Sequence, residues 1–133
     1  MLKQSKNTRQ TIYLKTCLRD SYFSLLKDKQ IEDISVSEIA KLAGLSRTSF
    51  YKNYKTKDDI VRQYIDDYLK DFLVELRTNP ITDSQVSTTA LFSYFRSNKS
   101  RIKILIERGL FHLFFESFSY FLQESNLVIN SKP

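Results

Sequence analysis

Between Ser35 and Tyr54 the chain reads SVSEIAKLAGLSRTSFYKNY, and apolar residues recur there with helical spacing in two runs separated by one glycine. Val36, Ile39, Ala40 and Ala43, with Leu42 alongside, form one face of the first run, and Ser37, Glu38 and Lys41 form the other. Ser35 and Glu38 make an S-x-x-E capping box, which predicts a helix start near Val36. Ala40 is small where a crossing helix must approach closely. Gly44 can take the positive φ that ends a helix and turns the chain. Leu45 then plugs the corner and Ser46 caps a second helix, in which Arg47, Thr48, Ser49, Tyr51, Lys52 and Asn53 surround a single apolar position, Phe50.

The flanking pattern is helical as well. Thr8 to Lys29 predicts a long helix with Ile12, Cys17, Leu18, Tyr22, Leu25 and Leu26 as its apolar stripe, after a frayed basic start. Ile31 and Ile34 flank a short loop and are expected in the same core, so that three helices close a small domain. Thr56 caps a helix from Lys57 to about Arg77, with Asp58 and Asp59 in its first turn and Ile60, Val61, Tyr64, Tyr68, Phe72 and Leu76 inward. Asn79 and Pro80 break it, and Asp83 or Ser84 opens another helix through Ser97 with Val86, Ala90, Leu91, Tyr94 and Phe95 inward. Gly109 predicts a split of the remainder into Ser100 to Arg108 and Leu110 to Glu124. The fold class is all-α: a three-helix helix-turn-helix DNA-binding domain over residues 1–56, then a short helical domain over 57–133 entered through a connecting helix, 57–77. No internal repeat or low-complexity tract interrupts it.

A helix the size of the second run fits the major groove, where its donors can reach base edges and phosphates. An ordinary amphipathic helix pair with a polar surface would need no partner. Charge supports the first reading without deciding it alone, since a basic surface can equally face acidic proteins or anionic lipid. Residues 1–56 carry 11 Lys/Arg against 5 Asp/Glu, a surplus of 6, whereas residues 57–133 carry 10 of each. The whole excess of +6 therefore lies on the half that holds the donor-rich helix, where a localised positive field attracts a polyanion.

With 133 residues the chain can bury a sizeable core, and only two glycines and two prolines leave little turn chemistry for sheets. Cys17 alone cannot form an internal disulfide, fits a reducing compartment and is expected as core filler. The start, MLKQSKNTRQ, lacks a signal peptide's apolar core, and no apolar run approaches the ~20 residues that span a bilayer. A cytoplasmic protein without a membrane partner is expected. No enzyme, cofactor or metal reading survives the inventory. His112 is the only histidine and has Glu116 four residues on, too few groups for a metal or an acid–base pair. Gly44 and Gly109 stand alone rather than in a phosphate loop, and Asp58–Asp59 and Asp66–Asp67 read as solvated helix faces.

Leu25–Leu26, Ile31, Ile34–Ser35–Val36, Glu38–Ile39–Ala40, Ala43–Gly44, Ser46–Arg47, Phe50–Tyr51, Tyr54, Lys57 and Ile60 together resemble the N-terminal domain of TetR/AcrR-family transcriptional regulators, over roughly residues 8–62. That resemblance implies a homodimer whose recognition helices enter successive major grooves of a palindromic operator, repressing until an effector bound in the second half spreads them. It also implies phosphate contacts at Ser35, Tyr51 and Lys57. Arg47, Thr48 and Lys52 are the candidates for base edges, with Asn53 open between base and backbone. Tyr54 stands where the family more often has phenylalanine, which implies a core position with its hydroxyl able to reach a phosphate.

The second half, from YFRSNKSRIKILIERGLFHLFFESFSYFL, is similar to C-terminal domains in the branch that includes regulators of dihydroxyacetone kinase operons. Family members continue for several more helices, including the pair that forms the dimer's four-helix bundle, whereas this sequence stops at Pro133. Truncation or a different mode of dimerisation is implied. The last predicted helix, LFHLFFESFSYFL, is apolar around most of its circumference and calls for neighbours on several sides. Phe111, His112, Phe114, Phe115, Phe118 and Phe121 are the candidate surface for a second copy, with a small apolar ligand or a protein effector as the other occupants. The rival reading from another class is a truncated interaction module that heterodimerises or binds a protein effector and does not read DNA alone.

Overall fold

The Ser35 side chain accepts a hydrogen bond from the Glu38 amide at 3.0 Å, and the Glu38 carboxylate accepts one from the Ser35 amide at 3.2 Å. This capping box starts a short helix where the sequence requires it, in a computed structural model that describes residues 2–78, 93 and 96–125. Among the described residues the chain is all-helical, with α1 at Leu2–Leu26, α2 at Val36–Leu42, α3 at Arg47–Asn53, α4 at Lys57–Thr78, α5 at Lys99–Glu107 and α6 at His112–Ser125. A single 3-10 turn, Ile31–Asp33, bridges α1 to α2. The chain divides into two compact units, Met1–Val61 and Arg62–Pro133.

In the first unit α1, α2 and α3 touch one another pairwise. Their core holds Leu18, Tyr22, Phe23 and Leu26 of α1, Ile34 before α2, Ile39 and Ala40 of α2, and Phe50 of α3, joined by Tyr54, Ile60 and Val61. Ser21 lies among them and donates to the Ile39 carbonyl at 2.7 Å, so its buried hydroxyl ties α1 to α2. Three expectations need correction. The first helix begins at Leu2 and ends at Leu26, and Lys27 to Lys29 form a turn whose amides return to the Ser24 and Leu25 carbonyls. Ile12, expected in the buried stripe, is 59% exposed, whereas the buried side chains described on α1 run from Leu18 to Leu26, where α1 packs on α2 and α3. Leu42, the last residue of α2, likewise faces outward, 56% exposed.

Both glycines close helices in the same way. At the end of α2 the Gly44 amide bonds the Lys41 carbonyl and the Leu45 amide bonds the Ala40 carbonyl, with Gly44 at φ 75°. At the end of α5 the Gly109 amide bonds Ile106 and the Leu110 amide bonds Leu105, with Gly109 at φ 72°. Each is a Schellman motif, in which the left-handed residue lets two orphan carbonyls find partners.

The second unit buries Tyr64, Ile65, Tyr68 and Leu69 of α4, Ile104 and Leu105 of α5, Leu110, and Leu113 and Ser117 of α6. Tyr64 donates to the Asn98 side-chain oxygen at 2.7 Å, and the Arg101 guanidinium lies 5.6 Å over its ring. Most of the helix expected from Asp83 or Ser84 to Ser97, with Val86, Ala90, Leu91, Tyr94 and Phe95, lies outside the described residues.

Candidate nucleic-acid interface

Three adjoining helix starts orient this surface, each fixed by a hydroxyl at its N-cap. Ser35 caps α2, Ser46 accepts from the Ser49 amide at 3.1 Å to cap α3, and Thr56 accepts from the Asp59 amide at 3.3 Å while Asp59 accepts from the Thr56 amide at 3.1 Å to cap α4. On α3, Phe50 is fully buried and meets Tyr51 edge-on at 5.2 Å and Tyr54 at 6.1 Å. Burying a side chain of that size is worth roughly 1.5–3 kcal/mol, enough to fix the rotation of a two-turn helix. With Phe50 inward, Arg47, Thr48, Tyr51 and Lys52 share the outer face, and all four are exposed. The Arg47 guanidinium lies 5.7 Å over the Tyr51 ring, which limits the directions in which its fork of donors can point.

Other candidate residues are differently placed. Asn53 is half-buried and donates from its amide nitrogen to the Ser49 carbonyl at 2.8 Å, so one of its donors is already committed within α3. Ser35 stays exposed at the start of α2, its oxygen occupied as an acceptor while its hydroxyl proton is uncommitted by that bond. Lys57 is half-buried and donates from Nζ to the Ile31 carbonyl at 2.8 Å and the Ile34 carbonyl at 2.7 Å. Two of its three ammonium donors therefore hold the loop before α2. The Tyr54 hydroxyl is enclosed in the core instead of reaching the surface, because the chain leaves α3 in an extended conformation that turns its ring inward. This corrects the expectation that it could reach a phosphate.

Sequence reasoning missed two lysines around this surface and the orphan hydroxyl of Tyr22. Lys15 of α1 lies 5.4 Å over the Tyr54 ring. Lys29 pairs with Glu38 at 2.5 Å. That bond, followed by the Ser35 amide, holds the Glu38 carboxyl below the usual range. Tyr22 is buried without a hydrogen-bond partner for its hydroxyl, and burial, then the charges of Asp58 and Glu32, push its ionisation upward. The buried Ser21 was missed as well, although a hydroxyl set among the apolar positions 18, 22, 25 and 26 left a usable signal.

Residues 23–64, from the C-terminal half of α1 into α4, match the bacterial regulatory proteins of the tetR family. Over those residues the chain carries a domain of the tetR-family type. It is also 28% identical over 106 residues to a protein of Bacillus subtilis (strain 168) named "Uncharacterized HTH-type transcriptional regulator YxbF". That similarity covers 74% of this chain and 28% of the relative. The tetR-family match takes in α2, α3 and their capped turn, and the family and the relative's name are those of transcriptional regulators.

The candidate surface of the second unit lies on α6. Leu113 and Ser117 face inward, and the Phe111 and Phe114 rings stack at 5.3 Å, Phe111 meets Phe115 edge-on at 5.4 Å, and Phe114 stacks on Phe118 at 6.1 Å. Phe115 is 63% exposed and Phe118 39%. His112 is exposed and its Nδ1 lies 3.1 Å from the Gly109 carbonyl, next to the turn it follows. The Phe121 side chain lies outside the described residues. Among the described side chains the helix thus has one packed face and an aromatic ladder whose Phe115 and Phe118 are exposed. Among the described residues no helix is long and apolar enough to cross a membrane, and no group of His, Cys, Asp and Glu could hold a metal ion.

Proposed function

We propose that the chain is a cytoplasmic DNA-binding transcriptional regulator, not an enzyme, that reads a palindromic operator as a homodimer and acts as a repressor. The observation that carries this reading is the outer face of α3, where Arg47, Thr48, Tyr51 and Lys52 stand together over the buried Phe50. In the major groove Arg47, Thr48 and Lys52 take base edges, with the remaining amide groups of Asn53 available to a base or to the backbone. Ser35 and Tyr51 hold phosphates, and Lys57 has one ammonium proton left for the same task.

Residues 1–56 form the reading domain in this account and residues 57–133 the dimerisation and effector domain, joined by a connecting helix over 57–77. The aromatic face of α6, with Phe111, Phe114, Phe115 and Phe118, is the surface assigned to the second copy or to an effector, and Phe121 and His112 extend it in sequence. A second reading draws on the same face. Phe115 at 63% and Tyr120 at 64% exposure suit a protein partner, so that the chain heterodimerises and reads nothing alone.

Selection of binding sites from a random duplex pool separates the two. The proposed function predicts enrichment of a two-fold symmetric motif. Enrichment of no sequence by the purified chain contradicts it and leaves the interaction module.

A further inference from the structure

The N-terminal half of α1 departs from ordinary helix design. α1 runs unbroken from Leu2, yet among its described side chains, from Thr8 on, the buried ones begin only at Leu18. Over that span the chain carries Lys3, Lys6, Arg9, Lys15 and Arg19 and no acidic residue before Asp20. Its first turn holds no acidic residue, although the positive end of the helix dipole favours one there. Positions 3, 6 and 9 also follow one another at i, i+3, the spacing at which like charges repel along one ridge. Thr8 to Tyr13 are all exposed, with Ile12 at 59% and Tyr13 at 67%. Such a segment gains nothing from its charge pattern unless an anion lies against it.

The structure also fixes where the segment begins. Lys15 lies 5.4 Å over the ring of Tyr54, the residue that ends α3. The basic stretch therefore leaves the fold beside the C-terminal end of the recognition helix. From Lys15 back to Lys3 the helix covers about 18 Å at its usual rise of ~1.5 Å per residue. Phosphates follow one another at about 3.4 Å along the axis of each strand, so that length matches about five of them.

We propose that the N-terminal half of α1 is an accessory DNA-binding arm that holds phosphates flanking the base pairs read by α3. The proposal rests on the DNA reading of the chain and deepens it. Arg9 and the lysines at 3 and 6 supply the charge, and the Lys15–Tyr54 contact sets the arm's root. Phosphates neutralise the self-repelling ridge and complement the helix's positive end. The arm adds affinity without adding base preference.

The test compares the full chain with the triple variant Lys3→Gln, Lys6→Gln, Arg9→Gln on the selected site, once with eight base pairs of flanking duplex and once trimmed flush. The arm predicts that trimming weakens the parent at least tenfold, that the triple variant is weakened similarly on the long duplex, and that trimming costs the variant almost nothing. The salt dependence of the variant becomes shallower by about 0.9 per lost phosphate contact in log–log form, and its unfolding midpoint stays at the parent's. Flank trimming that costs both proteins equally, or neither, overturns the arm while leaving the reading by α3 intact. Indifference to flanks together with capture of the parent, but not the variant, by phosphatidylserine-containing vesicles would assign the segment to a membrane surface and also overturn it. A parent chain that binds no duplex overturns the reading and the arm together.

Discussion

The ammonium of Lys57, the first residue of α4, sits 2.7 Å from the carbonyl oxygen of Ile34, immediately before the Ser35 cap of α2. With its second bond to Ile31 at 2.8 Å, the side chain ties the start of one helix to the entry of another. A phosphate contact alone would leave stability unchanged on substitution. The geometry predicts that Lys57→Met lowers the free energy of unfolding by about 2 kcal/mol, within the range for hydrogen bonds from a charged group. Urea denaturation checks this, and an unchanged midpoint would return Lys57 to a purely DNA-facing role.

Gly44 has open space where a Cβ would stand, so substitution meets only the cost of a positive φ. Gly44→Ala is expected to destabilise by about 1–2 kcal/mol and Gly44→Asn by less, since asparagine tolerates the left-handed region better. Thermal melts of the two variants give the order. Equal losses would mean that the turn relaxes out of its Schellman geometry.

Tyr22 hides a hydroxyl that has no hydrogen-bond partner in the core. Tyr22→Phe removes the oxygen without removing the ring, and is expected to stabilise the chain by about 1 kcal/mol. A loss of stability in urea titration would show that the hydroxyl is satisfied by a water.

Asp66 of α4 is partly buried, which raises its carboxyl pKa, while a bond from Ser117 and the charge of Lys70 oppose the rise. A carboxyl raised on folding favours the folded state most when protonated, below its unfolded pKa, and that contribution fades as pH climbs through the folded value. Asp66→Asn is therefore expected to stabilise the chain at pH 7 and to do so less near pH 4, where protonation of the aspartic acid sets in. Melting temperatures at the two pH values test the sign, and a variant that is less stable at pH 7 would show that the charge is needed there.

Much of this was legible in the sequence because local rules agreed with one another. Ser35 with Glu38, Ser46, Thr56 and the two glycines each marked a helix end that the structure places within a residue or two. The period of Ile39, Ala40 and Phe50 marked the core face, and hence the outer face of α3. What escaped depends on contacts between segments distant in the chain. Lys57 and Ile31 are 26 residues apart, so nothing in the local pattern around α4 could show that its first lysine turns back to the loop. Ile12 was misplaced because helical spacing shows which face is apolar and not how far along that face a partner extends. On α6, periodicity could not reveal that Phe111, Phe114 and Phe118 would stack on one another along one side.

The central claim is that α3 reads base edges, and Arg47 tests it most directly. Binding of the parent and Arg47→Ala would be measured at fixed salt on the selected operator, on its single-base variants and on random duplex. The account predicts a loss of about 1–3 kcal/mol on the operator with preference relaxed at one base pair, and a much smaller loss on random sequence. Equal losses on every duplex would contradict base reading by Arg47 and reduce the α3 surface to a grip on phosphates.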